Sequence, residues 1–106
     1  MKQDIYSRHN IDQDGNPQGG TSTAVGVTVF WQNGPLGRGA ERREPNGAFV
    51  ETVIDIAWDR LAFYESGKFA CEENVEAMKH LELALAALNR RTARREQREV
   101  EGTHGV

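Results

Sequence analysis

The feature that most constrains this chain is a pair of apolar stripes at helical spacing, separated by a short break. The first stripe recurs every three or four residues through positions 48–66, at Val50, Val53, Ile54, Ala57, Leu61 and Tyr64. The second begins near residue 71 and comprises Val75, Met78, Leu81, Leu85 and Leu88. Because two amphipathic helices joined by so few residues must pack against each other, the sequence predicts an antiparallel helical hairpin.

The ends of these helices carry recognisable signals. Asn46 is a suitable N-cap for the first helix, and Gly67 is suited to the left-handed conformation that often ends one. The second helix is predicted to start near Cys71, because Glu72 and Glu73 then complement the positive end of its dipole.

The first 45 residues have a different character. Eight of the eleven glycines and all three prolines lie within the first 47 positions. Alternation over residues 24–32 predicts one strand with a strongly buried face, which Asn33-Gly34-Pro35 then ends. Residues 7–23 are polar and are predicted to form a loop or mobile arm. Residues 1–6 are predicted to form a short edge strand. Residues 36–45 are predicted to form a loop, with a short return strand as an option.

The predicted fold class is therefore α+β: a short N-terminal antiparallel β segment followed by a C-terminal antiparallel two-helix hairpin. The expected division is residues 1–45, an arm with the β segment, and residues 46–106, the hairpin domain. With 106 residues and an apolar-poor first half, the chain can build only a thin core. A homo-oligomer is therefore expected.

Composition narrows the function classes. The net charge of −3 argues against a chain that coats DNA, and the single cysteine, Cys71, allows no intrachain disulfide and fits a reducing cytoplasm. The N-terminus shows no signal-peptide pattern, and no apolar run is long enough for a membrane span.

An arginine cluster is the strongest candidate for chemistry; it comprises Arg90, Arg91, Arg94, Arg95 and Arg98. One interpretation is a solvated basic helix end, partly neutralised by Glu96 and Glu99. However, Arg95 lies seven residues after Leu88 and so continues the apolar seam, with Arg91 beside it. Two guanidinium groups so placed suit a diphosphate.

Other candidates are weaker by themselves. Tyr64 is either a core aromatic or a platform for a nucleobase, and Ser66-Gly67-Lys68 is only a fragment of a phosphate loop. The three histidines lack metal-site spacing, and Cys71 has no identifiable catalytic partner and is expected in the core. We therefore expect no enzyme, no metal and no cofactor.

Specific motifs extend this reading. The turn from Tyr64 to Asn74 (YESGKFACEEN), the pattern Arg91-Thr-x-x-Arg95 and the tail Val100 to His104 (VEGTH) resemble the hairpin of phage anti-Thoeris and anti-CBASS sponge proteins. The resemblance begins at Asn46 and spans over half of the chain. The segments WQNGPLGRG and EPNGAF also resemble segments of phage-encoded relatives. The predicted strand ahead of the hairpin favours the anti-Thoeris branch. One departure is Glu99, where the family usually has glycine.

The resemblance implies a non-enzymatic protein in the cytoplasm of the infected bacterium. Such proteins sequester cyclic nucleotide immune signals, among them glycocyclic ADP-ribose and cyclic di- and trinucleotides, and they assemble as dimers and hexamers with pockets at subunit junctions. Carried onto this chain, the resemblance assigns nucleotide binding to Trp31, Tyr64, Asn74, Arg91 and Arg95. It assigns a second pocket, for cyclic trinucleotides, to Ser66, Gly67, Lys68, Thr103 and His104.

Two alternatives remain open on the sequence. A small phage nucleic-acid-binding or regulatory protein could use the arginine-rich helix, and a protein-interaction hairpin could pair its arginines with acidic residues of another subunit.

Overall fold

A computed structural model of the chain describes residues 3–98 and 100–105. Its elements are strands β1 (Tyr6–Ile11), β2 (Pro17–Ala24) and β3 (Val27–Asn33), a 3-10 helix (Gly39–Glu41), and helices α1 (Val50–Glu65) and α2 (Glu72–Gln97). The α+β class and the order of a β segment before a helical hairpin are as predicted. Two compact units result: residues 1–49 with 99–106, here called the β unit, and residues 50–98, the helical unit.

The β unit contains a three-stranded antiparallel sheet in the order β1-β2-β3. Thr21 lies opposite both Arg8 and Phe30, at the middle of the sheet. The prediction of a loop or mobile arm over residues 7–23 was therefore wrong, because these residues form β1, β2 and their turn. The expected edge strand over residues 1–6 is also wrong for its described part, since β1 begins only at Tyr6; Met1 and Lys2 lie outside the described residues.

The turn between β1 and β2 is closed by the Asp12 carboxylate. Its Oδ1 accepts hydrogen bonds from the backbone N–H groups of Asp14 and Asn16, each at 2.9 Å. The Asn16 side chain donates to Oδ2 at 3.2 Å. These donors, the Asn16 N–H foremost, lower the pKa of Asp12 below its ordinary value of 3.8. Local side-chain bonding of this kind makes a polar segment fold back without an apolar core.

The predicted strand over residues 24–32 is in fact divided by a hairpin turn. Ala24 pairs with Val27, so Val25 and Gly26 form a two-residue connection, with Gly26 at φ +85°. The expected strongly buried face is also absent, since Val25 is 91% exposed and Val27 is 52% exposed. Alternation identifies the two faces of a strand but does not supply the layer that would cover one of them.

The chain leaves β3 after Asn33, as predicted, and the connection over residues 36–45 holds the 3-10 helix and no strand. An isolated parallel bridge joins Ala48 to Trp31. Asn46 is not the N-cap of α1, which begins four residues later. Its side chain instead accepts from the Asn33 N–H at 2.8 Å and donates to the Asn33 carbonyl at 3.0 Å, and so fastens the loop to the end of β3.

Within the helical unit, α1 and α2 pack together as the predicted hairpin. Gly67 does not have the positive φ of the left-handed conformation expected of it. The second helix starts as predicted: Cys71 is the N-cap, and Glu72 and Glu73 lie in the first turn. The expectation that Cys71 is a core residue was wrong, since its side chain is exposed.

Among residues 3–98 and 100–105, no side chain reaches full burial. The seam residues Met78, Leu81, Leu85 and Leu88 are only half-buried. Large apolar side chains remain open to solvent, with Phe30 at 65%, Ile56 at 65% and Leu83 at 65%. The chain by itself therefore leaves unused much of the apolar surface that could stabilise it.

Candidate functional site

The arginine end of α2 differs from an evenly solvated helix end. Arg90, Arg91 and Arg94 are exposed, whereas Arg95 is half-buried. The seven-residue register places Arg95 on the same face of α2 as Leu81 and Leu88. Arg91 lies one helical turn before Arg95, so the two guanidinium groups can act on one ligand from the same side of α2.

The C-terminal end of α1 carries an aromatic cluster with a cation on it. The Arg60 guanidinium carbon lies 4.9 Å from the centroid of the Phe63 ring and 5.1 Å from that of Tyr64. Arg60 also donates from Nε to the Tyr64 hydroxyl at 3.3 Å. Phe63 is 60% exposed and Tyr64 is half-buried. A nucleobase could stack on such a surface while the guanidinium faces a phosphate.

Asn74 lies at the same end of the hairpin, but its side chain is engaged within the protein. Its amide donates to Glu65 Oε1 and to the Phe69 carbonyl, each at 3.0 Å. Glu65 Oε1 also accepts from the Cys71 N–H at 2.9 Å. Asn74 and Glu65 therefore stabilise the turn between the helices. Because both hydrogens of the Asn74 side-chain amide are donated within the protein, the side chain can contact a ligand only through its oxygen Oδ1.

The segment from Ser66 to Lys68 does not form a phosphate cradle. The Ser66 hydroxyl donates to the Phe63 carbonyl at 2.7 Å, as at an ordinary helix end. The Gly67 N–H is taken by the Tyr64 carbonyl at 3.1 Å. Lys68 is exposed, with its ammonium 5.6 Å from the centroid of the Phe69 ring. Of the three, Lys68 offers the donor most accessible to an anion.

Trp31 lies in β3 and is half-buried. Its indole N–H donates to the Ser22 hydroxyl at 2.8 Å, and that hydroxyl is 2.8 Å from the hydroxyl of Ser7. This line of contacts crosses all three strands and fixes the ring on the sheet. Trp31 is therefore a rigid aromatic surface of the β unit.

Thr103 and His104 belong to the β unit, in the segment that follows α2. The Thr103 hydroxyl donates to the Val100 carbonyl and accepts from the Gly105 N–H at 3.0 Å. His104 is exposed. Both hydrogen-bonding roles of the Thr103 hydroxyl are thus used in shaping the tail, while His104 remains accessible.

Inside the helical unit the predicted site residues form two groups at opposite ends of the hairpin. Tyr64, Ser66, Lys68 and Asn74 lie at the turn, and Arg91 and Arg95 lie near the end of α2. Asn74 and Arg95 are separated by about 30 Å along an unbroken helix, at 1.5 Å per residue. One hairpin does not bring its stacking aromatic and its arginine pair together.

The described residues contain no group of three or more His, Cys, Asp or Glu side chains that could hold a metal ion. No described helix is long and apolar enough to cross a membrane. A small pocket of the β unit, lined in part by Gln32, Arg43 and Asn46, includes none of the predicted site residues.

Sequence reasoning missed several residues that organise these regions. Arg60 could have been found, because it lies four positions before Tyr64 on one helix. The role of Glu65 was harder to foresee, since it depends on the path of the turn. Arg42 and Glu101 are 59 residues apart and pair through a bidentate contact, which no local pattern announces.

Comparison with known proteins adds an independent observation. Residues 25–93 match the family described as Acb2/Tad1, hairpin domain. The chain is also 41% identical over 95 residues to a protein named Thoeris anti-defense 1 from Bacillus phage SBSphiJ7, a match that covers 82% of this chain and 64% of the relative. The chain thus spans just under two thirds of the length of that relative.

Proposed function

Because the chain belongs to the Acb2/Tad1 hairpin-domain family, we propose that it is a phage anti-defence protein that binds a cyclic nucleotide immune signal and retains it without cleaving it. The similarity to a protein named as a Thoeris anti-defence factor supports the anti-defence role. The proposed site of action is the cytoplasm of the infected bacterium.

The observation that carries this proposal is the arginine pair on α2. Arg95 is half-buried on the face of α2 that carries Leu81 and Leu88, and Arg91 lies one turn before it. A guanidinium drawn partly out of water favours a charged partner over solvent. Its planar fork matches phosphate oxygens in a bidentate way, so the pair suits the diphosphate of glycocyclic ADP-ribose or the phosphates of a cyclic oligonucleotide.

Tyr64 is proposed to stack on the adenine of the same ligand, with Asn74 and Trp31 as further contacts. The Arg60 contact supports this role for Tyr64, because it holds the ring in one orientation and adds a positive charge beside it. A stacked base contributes about 1–3 kcal/mol in proteins that bind single-stranded nucleic acid.

This assignment requires more than one subunit. Tyr64 and Arg95 lie at opposite ends of one hairpin, about 30 Å apart at 1.5 Å per residue. No small nucleotide spans that distance, so a second copy must supply one of the two groups. The exposed apolar side chains, among them Ile56 and Leu83 of the helical unit, support a homo-oligomer. A dimer-based hexamer is the proposed assembly.

The second pocket, for cyclic trinucleotides, is proposed to use Ser66, Gly67, Lys68, Thr103 and His104. The accessible side chains of Lys68 and His104 support this part of the proposal. In this proposal the arginine pair and the second pocket are two different surfaces, and together they decide which of glycocyclic ADP-ribose, cyclic dinucleotides and cyclic trinucleotides is bound.

Isothermal titration calorimetry with glycocyclic ADP-ribose, a cyclic dinucleotide and a cyclic trinucleotide tests the proposal. We expect tight binding of at least one of them, with the bound ligand recovered intact by mass spectrometry after heating. Absence of binding for all three refutes the function, and recovery of a cleaved ligand refutes sequestration.

The arginine pair has a matched control on the same helix. Arg91→Ala with Arg95→Ala removes two positive charges four residues apart, and Arg90→Ala with Arg94→Ala removes two with the same spacing on a neighbouring face. We expect only the first double variant to lose the ADP-ribose-type ligand, with the subunit number unchanged by light scattering. Equal losses from the two variants would mean that charge, rather than position, governs binding.

The alternative is a nucleic-acid-binding or regulatory protein that uses the exposed arginines Arg90, Arg91 and Arg94. It predicts binding to long DNA or RNA that weakens steeply with salt. It also predicts that Arg90→Ala with Arg94→Ala, which removes two of these three exposed arginines, is at least as impaired as Arg91→Ala with Arg95→Ala, which removes one. The same pair of variants therefore separates the two functions.

A further inference from the structure

The segment that follows α2 is fastened to the loop between β3 and α1. Arg42 donates from Nη1 and Nη2 to the two carboxylate oxygens of Glu101, at 2.7 and 3.0 Å. Arg38 Nη1 donates to the Glu101 carbonyl at 2.9 Å. The Gly37 N–H donates to the Gly102 carbonyl at 2.7 Å. Both the carboxylate and the backbone of residues 101–102 are therefore held by the same short loop.

The ion pair at the centre of these contacts is better placed than a typical surface pair. The side chain of Glu101 is 22% exposed and that of Arg42 is 42% exposed. Two parallel charge-assisted hydrogen bonds fix the orientation of the carboxylate as well as its distance. Such geometry is the condition under which an ion pair contributes measurably despite solvent.

The backbone on both sides is shaped for this contact. Gly102 has φ +80°, and a Cβ built there would lie 2.3 Å from the Gly37 carbonyl oxygen. A Cβ at Gly37, itself at φ +87°, would lie 2.8 Å from the Glu41 carbonyl oxygen. Neither position has room for a side chain: glycine at 102 permits the close approach of the tail to Gly37, whereas glycine at 37 is required by the path of the loop itself.

Immediately beyond the fastened residues lie Thr103 and His104, which the proposed function assigns to the second pocket. The Thr103 N–H and hydroxyl both donate to the Val100 carbonyl, so the tail turns back on itself there. With residues 101–102 held on one side and this turn on the other, the loop fixes the place of Thr103 and His104 in the β unit.

We propose that Arg42 and Glu101 form a latch that positions Thr103 and His104 for ligand binding. Arg42 is a positioning residue here, since it acts on the ligand only through the tail. The consequence for binding rests on the proposed function of the second pocket, whereas the ordering of the tail by the latch does not.

Hydrogen exchange measures the ordering directly. In Arg42→Gln, we expect the amides of Gly37 and Thr103 to exchange about tenfold faster or more, because a charge-assisted contact of this kind contributes on the order of a factor of ten. Arg43→Gln is the matched control: it removes the same charge from the adjacent residue, and Arg43 has no ion pair with Glu101 among the described residues. Equal exchange in the two variants overturns the latch.

Ligand titration measures the consequence. We expect Arg42→Gln to weaken binding of a cyclic trinucleotide about tenfold, while glycocyclic ADP-ribose affinity changes little, because the arginine pair of α2 is untouched. A purely structural role would lower the melting temperature and leave the trinucleotide affinity as it was, which overturns the positioning role. A wild-type protein that binds no trinucleotide refutes the second pocket, and the exchange result still decides the latch.

The exchanged pair gives a further check. Arg42→Glu and Glu101→Arg are each expected to release the tail, and combining them is expected to restore part of the amide protection and of the trinucleotide affinity. If the combined variant is as impaired as the two losses added together, the two side chains do not act through each other and the latch is overturned.

Discussion

The pairing of β1 with β2 can be tested at Gly20, where the backbone of β1 leaves no room for a side chain. Gly20 has φ +132°, and a Cβ built on it would lie 1.9 Å from the carbonyl oxygen of Arg8. It pairs with His9, next to the point where the register of β1 and β2 shifts. Since the obstructing atom belongs to the backbone, Gly20→Ala can be accommodated only if β1 moves away from β2.

The expected loss has two parts. Holding an alanine in that region of φ costs about 1–3 kcal/mol. Separating the strands also removes ladder hydrogen bonds, each with a net contribution of about 1 kcal/mol. We therefore expect Gly20→Ala to lower the free energy of unfolding by about 2–5 kcal/mol, a large share of the stability of a small domain.

Gly26→Ala isolates the conformational part of this loss. Gly26 has φ +85°, and a Cβ there would meet nothing within 4 Å. We expect its loss to stay at about 1–2 kcal/mol, the usual cost of a left-handed L-residue. Urea unfolding followed by circular dichroism measures both, at one fixed protein concentration because the proposed assembly would contribute to stability. Equal losses from the two variants would refute the close approach of β1 and β2.

Three further outcomes follow from the side-chain contacts. The lowered pKa of Asp12 favours its carboxylate form in the folded chain, so the contribution of Asp12 to stability is complete above the ordinary pKa of 3.8 and is lost as pH falls through the pKa of the folded state. The difference in melting temperature between wild type and Asp12→Asn should therefore be constant above about pH 5 and shrink below it. A difference that stays the same at lower pH would contradict this. Glu65→Ala should lower the free energy of unfolding by about 1–3 kcal/mol, because the Cys71 N–H and the Asn74 amide lose their acceptor, whereas the exposed Glu82→Ala should change it little on urea titration. Tyr64→Phe should keep most of the nucleotide affinity in calorimetry and Tyr64→Ala should lose about tenfold or more; an alanine variant that binds as wild type does would place the base elsewhere.

The helical hairpin could be read from the sequence because helix pattern is local. Each stripe repeats within four residues, and Glu72 and Glu73 mark the start of α2 within one turn. The same register also indicated that Arg95 continues the seam, in keeping with its half-buried side chain beside the exposed Arg91. Signals of this kind depend only on the geometry of one element.

The sheet could not be read in the same way. Residues 7–23 lack the apolar alternation that announces a strand, and their pairing is held by backbone bonds, by the Asp12 turn and by the line from Ser7 through Ser22 to Trp31. In that setting Gly20 is a site of close backbone approach, whereas in the sequence it looks like a breaker. A glycine in a sequence is compatible with both a strand break and a close backbone approach, and only the position of the neighbouring strand distinguishes the two.

For the candidate site, too, some features could be predicted from the sequence and others only from the tertiary structure. The residue types and helical spacing of Tyr64, Arg91 and Arg95 are present in the sequence, together with the motifs that indicate the family. Tertiary structure decided that Asn74 is engaged by Glu65, and that Glu101 is held by Arg42 from 59 positions away. Such contacts form between segments that folding brings together, so no pattern within either segment records them.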